Sequence, residues 1–104
     1  MLFINNDNFK EEVLSCESLV VVDFYADWCG PCQMLKPLLE EISSERNDVK
    51  IVKVDVDDAR ELAVKYKISA IPALIVFKDG NVVANEVGFM SKDDLNTMFN
   101  RISE

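Results

Sequence analysis

The 104-residue chain has no histidine. That removes the side chain that most often serves as a general base near neutral pH and as a metal ligand. Proton transfer here falls to Asp, Glu, Lys or Cys. Only three glycines are present, too few to assemble a glycine-rich phosphate loop. Three cysteines is an odd number, and one Cys-x-x-Cys pair does not make a secreted disulfide framework. Positive charge is the scarce sign: 11 Lys and Arg stand against 19 Asp and Glu, a net charge of −8. Such a surface repels a nucleic-acid backbone unless a basic patch compensates. No run of Lys or Arg supplies one, so no nucleic-acid partner is expected. No apolar run approaches the ~18 residues of a membrane span. The longest, "SLVVVDFYA", is strand-sized and carries Asp23. No basic segment followed by an apolar one opens the chain, so neither a secretory signal nor a membrane attachment is expected.

What is present describes a soluble globular protein, with 49% apolar and 29% charged residues. The length predicts a single domain over 1–104, large enough for one core. No repeat, linker or low-complexity tract interrupts it. "LFI" at 2–4 fits an edge strand. "NDNFKEEVLSC" reads as a helix with Asp7 as its cap and Phe9, Val13 and Cys16 on one face. Cys16 on that apolar face reads as a small core residue rather than a regulatory thiol. "LVVVDFYA" (19–26) is β-branched and continuously apolar, as a strand covered on both faces is. A helix is predicted from about Pro31 to Glu45, with Leu35, Leu38, Leu39 and Ile42 as its apolar stripe and Pro37 inside it.

"VKIVKVDVD" (49–57) alternates as a strand does. Asp58 and Glu61 are spaced as a helix cap and its partner, followed by Ala59, Leu62, Ala63 and Tyr66. "ALIVFKDGNVVANEV" is a hairpin, since Asp79-Gly80 is a favoured two-residue turn. Ser91 and Asp94 open a last helix with Leu95, Met98, Phe99 and Ile102 inward. The order βαβαβαββα predicts an α/β fold: a central mixed β-sheet with helices on both faces. Asp55, Asp57 and Asp58 resemble a cation cluster only superficially, because the glycine and late glutamate of a calcium loop are missing.

The chemistry lies in "DFYADWCGPCQ", residues 23–33. Cys29 and Cys32 sit where a buried strand gives way to a helix. The first turn of a helix presents unpaired N–H groups and the positive end of its dipole. Both favour a thiolate, so Cys29 is expected to ionise readily at the exposed lip of the site. Cys32, one turn in, is placed to resolve a mixed disulfide. Pro31 is tolerated in the first turn. Gly30 leaves the approach open, and Trp28 offers an apolar platform beside the nucleophile. A structural zinc site takes about four Cys or His ligands, and this chain has three Cys and no His. A permanent staple across so few residues constrains almost nothing. The motif therefore reads as redox-active. Asp23 shares strand parity with Val21 and Tyr25, and a carboxyl buried there holds its proton more tightly. It is the best base available to Cys32 in a chain without histidine. The plainer alternative is a strand-end carboxylate that finds water or Lys53.

These residues resemble the thioredoxin family nearly end to end. "VVDFYADWCGPCQMLKP" is similar to its active-site signature, and "ISAIPALIVFKDGNVV" to its later one. The family is itself a standard case of a lowered cysteine pKa and a reducing poise. The resemblance implies a thioredoxin-like fold and a protein dithiol–disulfide oxidoreductase, an electron carrier with a reversible Cys29–Cys32 disulfide and no other cofactor. It implies Cys29 as nucleophile, Cys32 as resolving cysteine, Asp23 as the residue that deprotonates Cys32, and Lys53 as its neighbour. Gly30 and Pro31 would set the potential. Trp28, Ile71, Pro72 and Gly88 would bind substrate, with Ile71-Pro72 in a cis-proline loop. On the residues alone, a trans proline opening an edge strand is the ordinary expectation.

The implied partners are a thioredoxin reductase and disulfide-containing target proteins, met by a cytoplasmic monomer. Tyr25 stands where the family often has tryptophan, Gln33 where a basic residue is common, and Ala73 where threonine is frequent. Two other readings stay open at this point. An oxidising domain in an export compartment is disfavoured by Pro31, since strong oxidants usually resemble the motif with histidine there. A non-catalytic binding module is disfavoured by the intact Cys-Gly-Pro-Cys.

Overall fold

The computed structural model describes residues 1–104. Its centre is the valine run. Strand β2, Leu19–Tyr25, is buried at every position. It pairs in parallel with β3, Val49–Asp55, and antiparallel with β4, Ala73–Lys78. Val20, Val21 and Val22 have no exposed surface, and each such burial is worth about 1.5–3 kcal/mol of transfer energy. Flanking it, β1, Leu2–Phe3, pairs in parallel with β3, and β5, Asn81–Val87, pairs antiparallel with β4. The five-stranded sheet is mixed, as the alternation of elements predicts, and runs in the order β1-β3-β2-β4-β5.

Each face of the sheet has its own core. On one, Val20, Val22 and Phe24 meet Phe9, Val13 and Leu62. On the other, Val21, Ile51 and Leu74 meet Leu35, Leu39 and Ile42 of helix α1, Gly30–Glu45, and Leu95, Met98 and Phe99 of helix α3, Lys92–Ser103. Helix α1 continues through Pro37 on its exposed side. The parity of β2 places Asp23 and Tyr25 on the α1 side, with Val21. No helix is long and apolar enough to cross a membrane.

The Asp79-Gly80 turn forms as expected, with φ of +51° and +81° at its two residues. Ser91 caps α3, its hydroxyl accepting the Asp94 N–H at 3.1 Å. Two other caps do not form. The first helix contracts to a π-helical segment, Lys10–Leu14, closed by the Ser15 N–H on the Lys10 carbonyl at 2.9 Å. Asp7 caps nothing. Instead the Asn5 and Asn8 side chains accept the Asp7 and Asn5 N–H groups at 2.9 and 2.8 Å. Helix α2, Arg60–Lys65, starts after Ala59 with no side-chain cap. The Asp55 carbonyl accepts both the Asp58 and Ala59 N–H groups there, so backbone closes the turn that Asp58 was expected to cap. Strand β3 accordingly stops at Asp55, short of residue 57.

Candidate active site

Strand β2 delivers the chain to one edge of the molecule and α1 takes it away. Between them lie Asp27 and Trp28, both exposed. Cys29 is the N-cap of α1 in extended conformation (φ −89°, ψ 112°), with Pro31 in the first turn. Its Sγ accepts the Cys32 N–H at 3.3 Å, the orphan donor that the dipole argument anticipates. The two cysteines form a disulfide with their Cα atoms 5.2 Å apart. The expectation that Cys29 stands at an exposed lip needs correction. Cys29 is 6% exposed and Cys32 3%. Both pack with Tyr25 and Ala26, and Val56 and Ile71 close over them. Gly30 is exposed, and a Cβ built there meets nothing within 4 Å. The fold does not require glycine at that position; its effect is an unobstructed approach.

Ile71 and Pro72 arrive from the opposite side. The bond between them is cis, as the resemblance implies and the residues alone do not. The Ile71 carbonyl oxygen lies 3.8 Å from Cys29 Sγ. Gly88 is tied to this loop, donating its N–H to the Pro72 carbonyl at 2.8 Å. Its φ of +99° is one that glycine adopts freely.

Trp28, 72% exposed, is fixed at its polar end. The Val56 N–H binds the Tyr25 carbonyl at 2.9 Å, so the chain leaving β3 runs beside the chain leaving β2. That brings Asp57 to the indole N–H, which it accepts at 2.9 Å. Below the ring is an apolar hollow of 170 Å³ lined by Trp28, Val56, Ala63, Ile68, Ser69, Ala70 and Ile71. Asp57 is a site residue that the sequence reading missed. Gln33 also turns toward the site loop, donating to the Asp27 carbonyl at 3.0 Å.

Behind the cysteines, Asp23 and Lys53 face each other as register partners of β2 and β3, 1% and 5% exposed. Burial pushes the Asp23 carboxyl up from its ordinary 3.8 to about 6, with the Lys53 charge opposing. Its Oδ1 has no hydrogen-bond partner. Burial likewise lowers Lys53 from its ordinary value, with Asp23 opposing. The Lys53 ammonium lies 4.0 Å from the Tyr25 ring centroid and 5.8 Å from that of Phe3. The residues named from the sequence are thus placed as follows: Cys29, Cys32, Gly30, Pro31 and Trp28 in one loop and helix turn, Ile71, Pro72 and Gly88 across from them, and Asp23 and Lys53 paired in the sheet, joined to the cysteines through Tyr25. Cys16 is a free, half-buried thiol on the far face, packed against the other core.

A disulfide at a helix N-cap, with the Ile71 carbonyl that precedes a cis-proline against its sulfur, is the geometry of a dithiol–disulfide redox site. The thioredoxin family model matches residues 1–101. Thioredoxin C-2 of Corynebacterium nephridii is 52% identical over 91 residues, 86% of this chain and 84% of that one. The thioredoxin of Bacillus subtilis is 50% identical over 86 residues, 82% and 83% of the two chains. That of Mycoplasmoides gallisepticum is 44% identical over 95 residues, 91% and 95%. The chain belongs to the thioredoxin family. It is a protein disulfide oxidoreductase with a redox-active disulfide.

Proposed function

We propose that residues 1–104 work as one domain that reduces disulfides in target proteins, with Cys29 as nucleophile. The observation that carries this reading is the Cys29 Sγ itself. It receives a helix N-terminal N–H, has the open Gly30 approach on one side, and has the Ile71 carbonyl on the other. In the reduced protein, Cys29 thiolate attacks one sulfur of the target disulfide. That S–S bond breaks, the second target sulfur leaves as thiolate, and a mixed disulfide remains. Cys32 then loses its proton to Asp23 and attacks Cys29 Sγ. The mixed disulfide breaks, the first target sulfur leaves, and two electrons have passed to the target. Lys53 supplies a positive field as Asp23 changes charge. Gly30 and Pro31 shape the first turn that holds the sulfurs and so tune the potential. Trp28, Ile71, Pro72 and Gly88 form the surface on which target backbone lies.

Nothing beyond the cysteine pair is needed as cofactor in this scheme. The oxidised chain must then be re-reduced, a task suited to a thioredoxin reductase. The reading is of a monomer acting in the cytoplasm, consistent with the reducing chemistry. The experiment is a trap. Cys32→Ser, exposed to a protein disulfide such as insulin's, accumulates a mixed disulfide at Cys29, and Cys29→Ser accumulates none. Reduction of insulin by Cys29→Ser at the wild-type rate would end the proposal.

A further inference from the structure

Tyr25 makes a contact that the cysteine chemistry does not explain. The Lys53 ammonium stands 4.0 Å from its ring centroid, with the Phe3 ring 5.8 Å away. Lys53 is 5% exposed, yet it takes part in none of the four ion pairs of the molecule. A buried ammonium beside a buried carboxylate gains most by closing onto it with hydrogen bonds. Here aromatic faces hold the cation instead, and Asp23 Oδ1 is left without a partner.

We propose that Tyr25 is a positioning residue for the resolving step: its ring seats the Lys53 ammonium at a stand-off from Asp23, so that Oδ1 stays open to the proton of Cys32. This rests on the reading of Asp23 as the proton acceptor. A closed Lys53–Asp23 pair would occupy the carboxylate and favour its ionised form, making it a weaker base. A cation held at a distance still helps keep Asp23 ionised ahead of the transfer, without occupying the accepting atom.

The surroundings fit a seat made by a ring face rather than by the phenol. Burial and the charges of Asp55, Asp27, Asp23 and Asp58 push the Tyr25 hydroxyl up to about 12, so it stays neutral throughout the working range. From α1, Lys36 and Glu40 also face Lys53 with opposite signs, and Asp27 faces it from the loop. On the β4 side, the register partner of Asp23 is the apolar Leu74. Tyr25 and Phe3 are thus the groups that hold the cation in place.

The test follows Asp23 by carboxyl carbon NMR in the oxidised protein, where the cysteines do not titrate. Tyr25→Phe keeps the ring, and the Asp23 titration stays where it is. Tyr25→Leu and Tyr25→Met, read together in case one folds poorly, let Lys53 close onto Asp23. The titration then moves down by about one pH unit, and the movement disappears in a Lys53→Met background. Absence of movement, the same movement without Lys53, or Tyr25→Phe behaving like Tyr25→Leu would each overturn the seat. The second readout is the pH profile of resolution, timed from a small-molecule mixed disulfide on Cys29. Its lower limb is expected to move with the Asp23 titration. A titration that moves while the profile stays would remove Asp23 as the acceptor and Tyr25 from the step, with the seat itself still demonstrated.

Discussion

Trp28 donates its indole N–H to Asp57 at 2.9 Å, tying the loop before the cysteines to the loop after β3. The ring is otherwise 72% exposed, so this one bond decides how the platform beside Cys29 is held. A single hydrogen bond to a charged group is worth about 1.5–3 kcal/mol at most, and less where it is solvated.

Asp57→Ala is therefore expected to loosen the platform without removing it. KM for a protein disulfide should rise roughly 5-fold, with reduction of a small disulfide little changed. Trp28 is the one tryptophan in the chain, so its fluorescence anisotropy reports the ring directly and should fall. Unchanged anisotropy would mean the bond does not hold the ring.

Asp23 makes stability depend on pH with a definite sign. Its carboxyl holds a proton up to about 6 in the folded chain, against an ordinary 3.8. Between those values the folded state binds more protons than the unfolded one, so stability falls as pH rises and levels off above about 6. The loss approaches about 3 kcal/mol. Asp23→Ala should thus be about 1–3 kcal/mol more stable than wild type in denaturant at pH 7.5. The advantage should vanish at pH 3, where the carboxyl is neutral in both states. The same variant should resolve mixed disulfides more slowly. A variant less stable at pH 7.5 would contradict the burial of a strained carboxyl.

Gly80 tests the hairpin. A Cβ there would stand 2.9 Å from the Leu14 carbonyl oxygen, at a φ of +81°. Neither partner is a flexible side-chain end. Gly80→Ala should cost about 1–2 kcal/mol from backbone conformation alone, plus the contact with the π-helical segment. Chemical denaturation measures it, and insulin reduction at low temperature should be unaffected.

Cys16 should be protected but not sealed. It is half-buried among apolar neighbours. With Cys29 and Cys32 oxidised, a thiol reagent should label it slowly in buffer and quickly in urea. Rapid labelling of the native oxidised protein would place it at the surface.

Much of this was legible because the signals are local. The β2 valine run, the Asp79-Gly80 turn and the Ser91 cap each declare themselves within a few residues, and each forms. Asp7 and Asp58 carried the same kind of signal and cap nothing: the Asn5 and Asn8 side chains close the turn before the first helix, and the Asp55 carbonyl closes the one before α2. The cysteine motif was equally plain. Its supports were not. Asp57 on Trp28, Gly88 on Pro72 and Tyr25 under Lys53 are pairings across 29, 16 and 28 positions, with no periodicity to announce them. The burial of Cys29 belongs with them, since the residues that cover it come from Val56 and Ile71.

Strand β2 is hydrogen-bonded on both sides along nearly its whole length, and the redox loop begins where it ends. No edge of that strand can fray by itself. Opening it requires two ladders and both cores to separate together, so its amides should exchange with solvent only through global unfolding. Asp23 lies within that strand, so it should sit among the slowest-exchanging residues of the chain, a few positions from the redox loop. Heating should therefore take turnover and fold at one temperature, with no window in which the protein is folded but Asp23 has drifted from the redox loop.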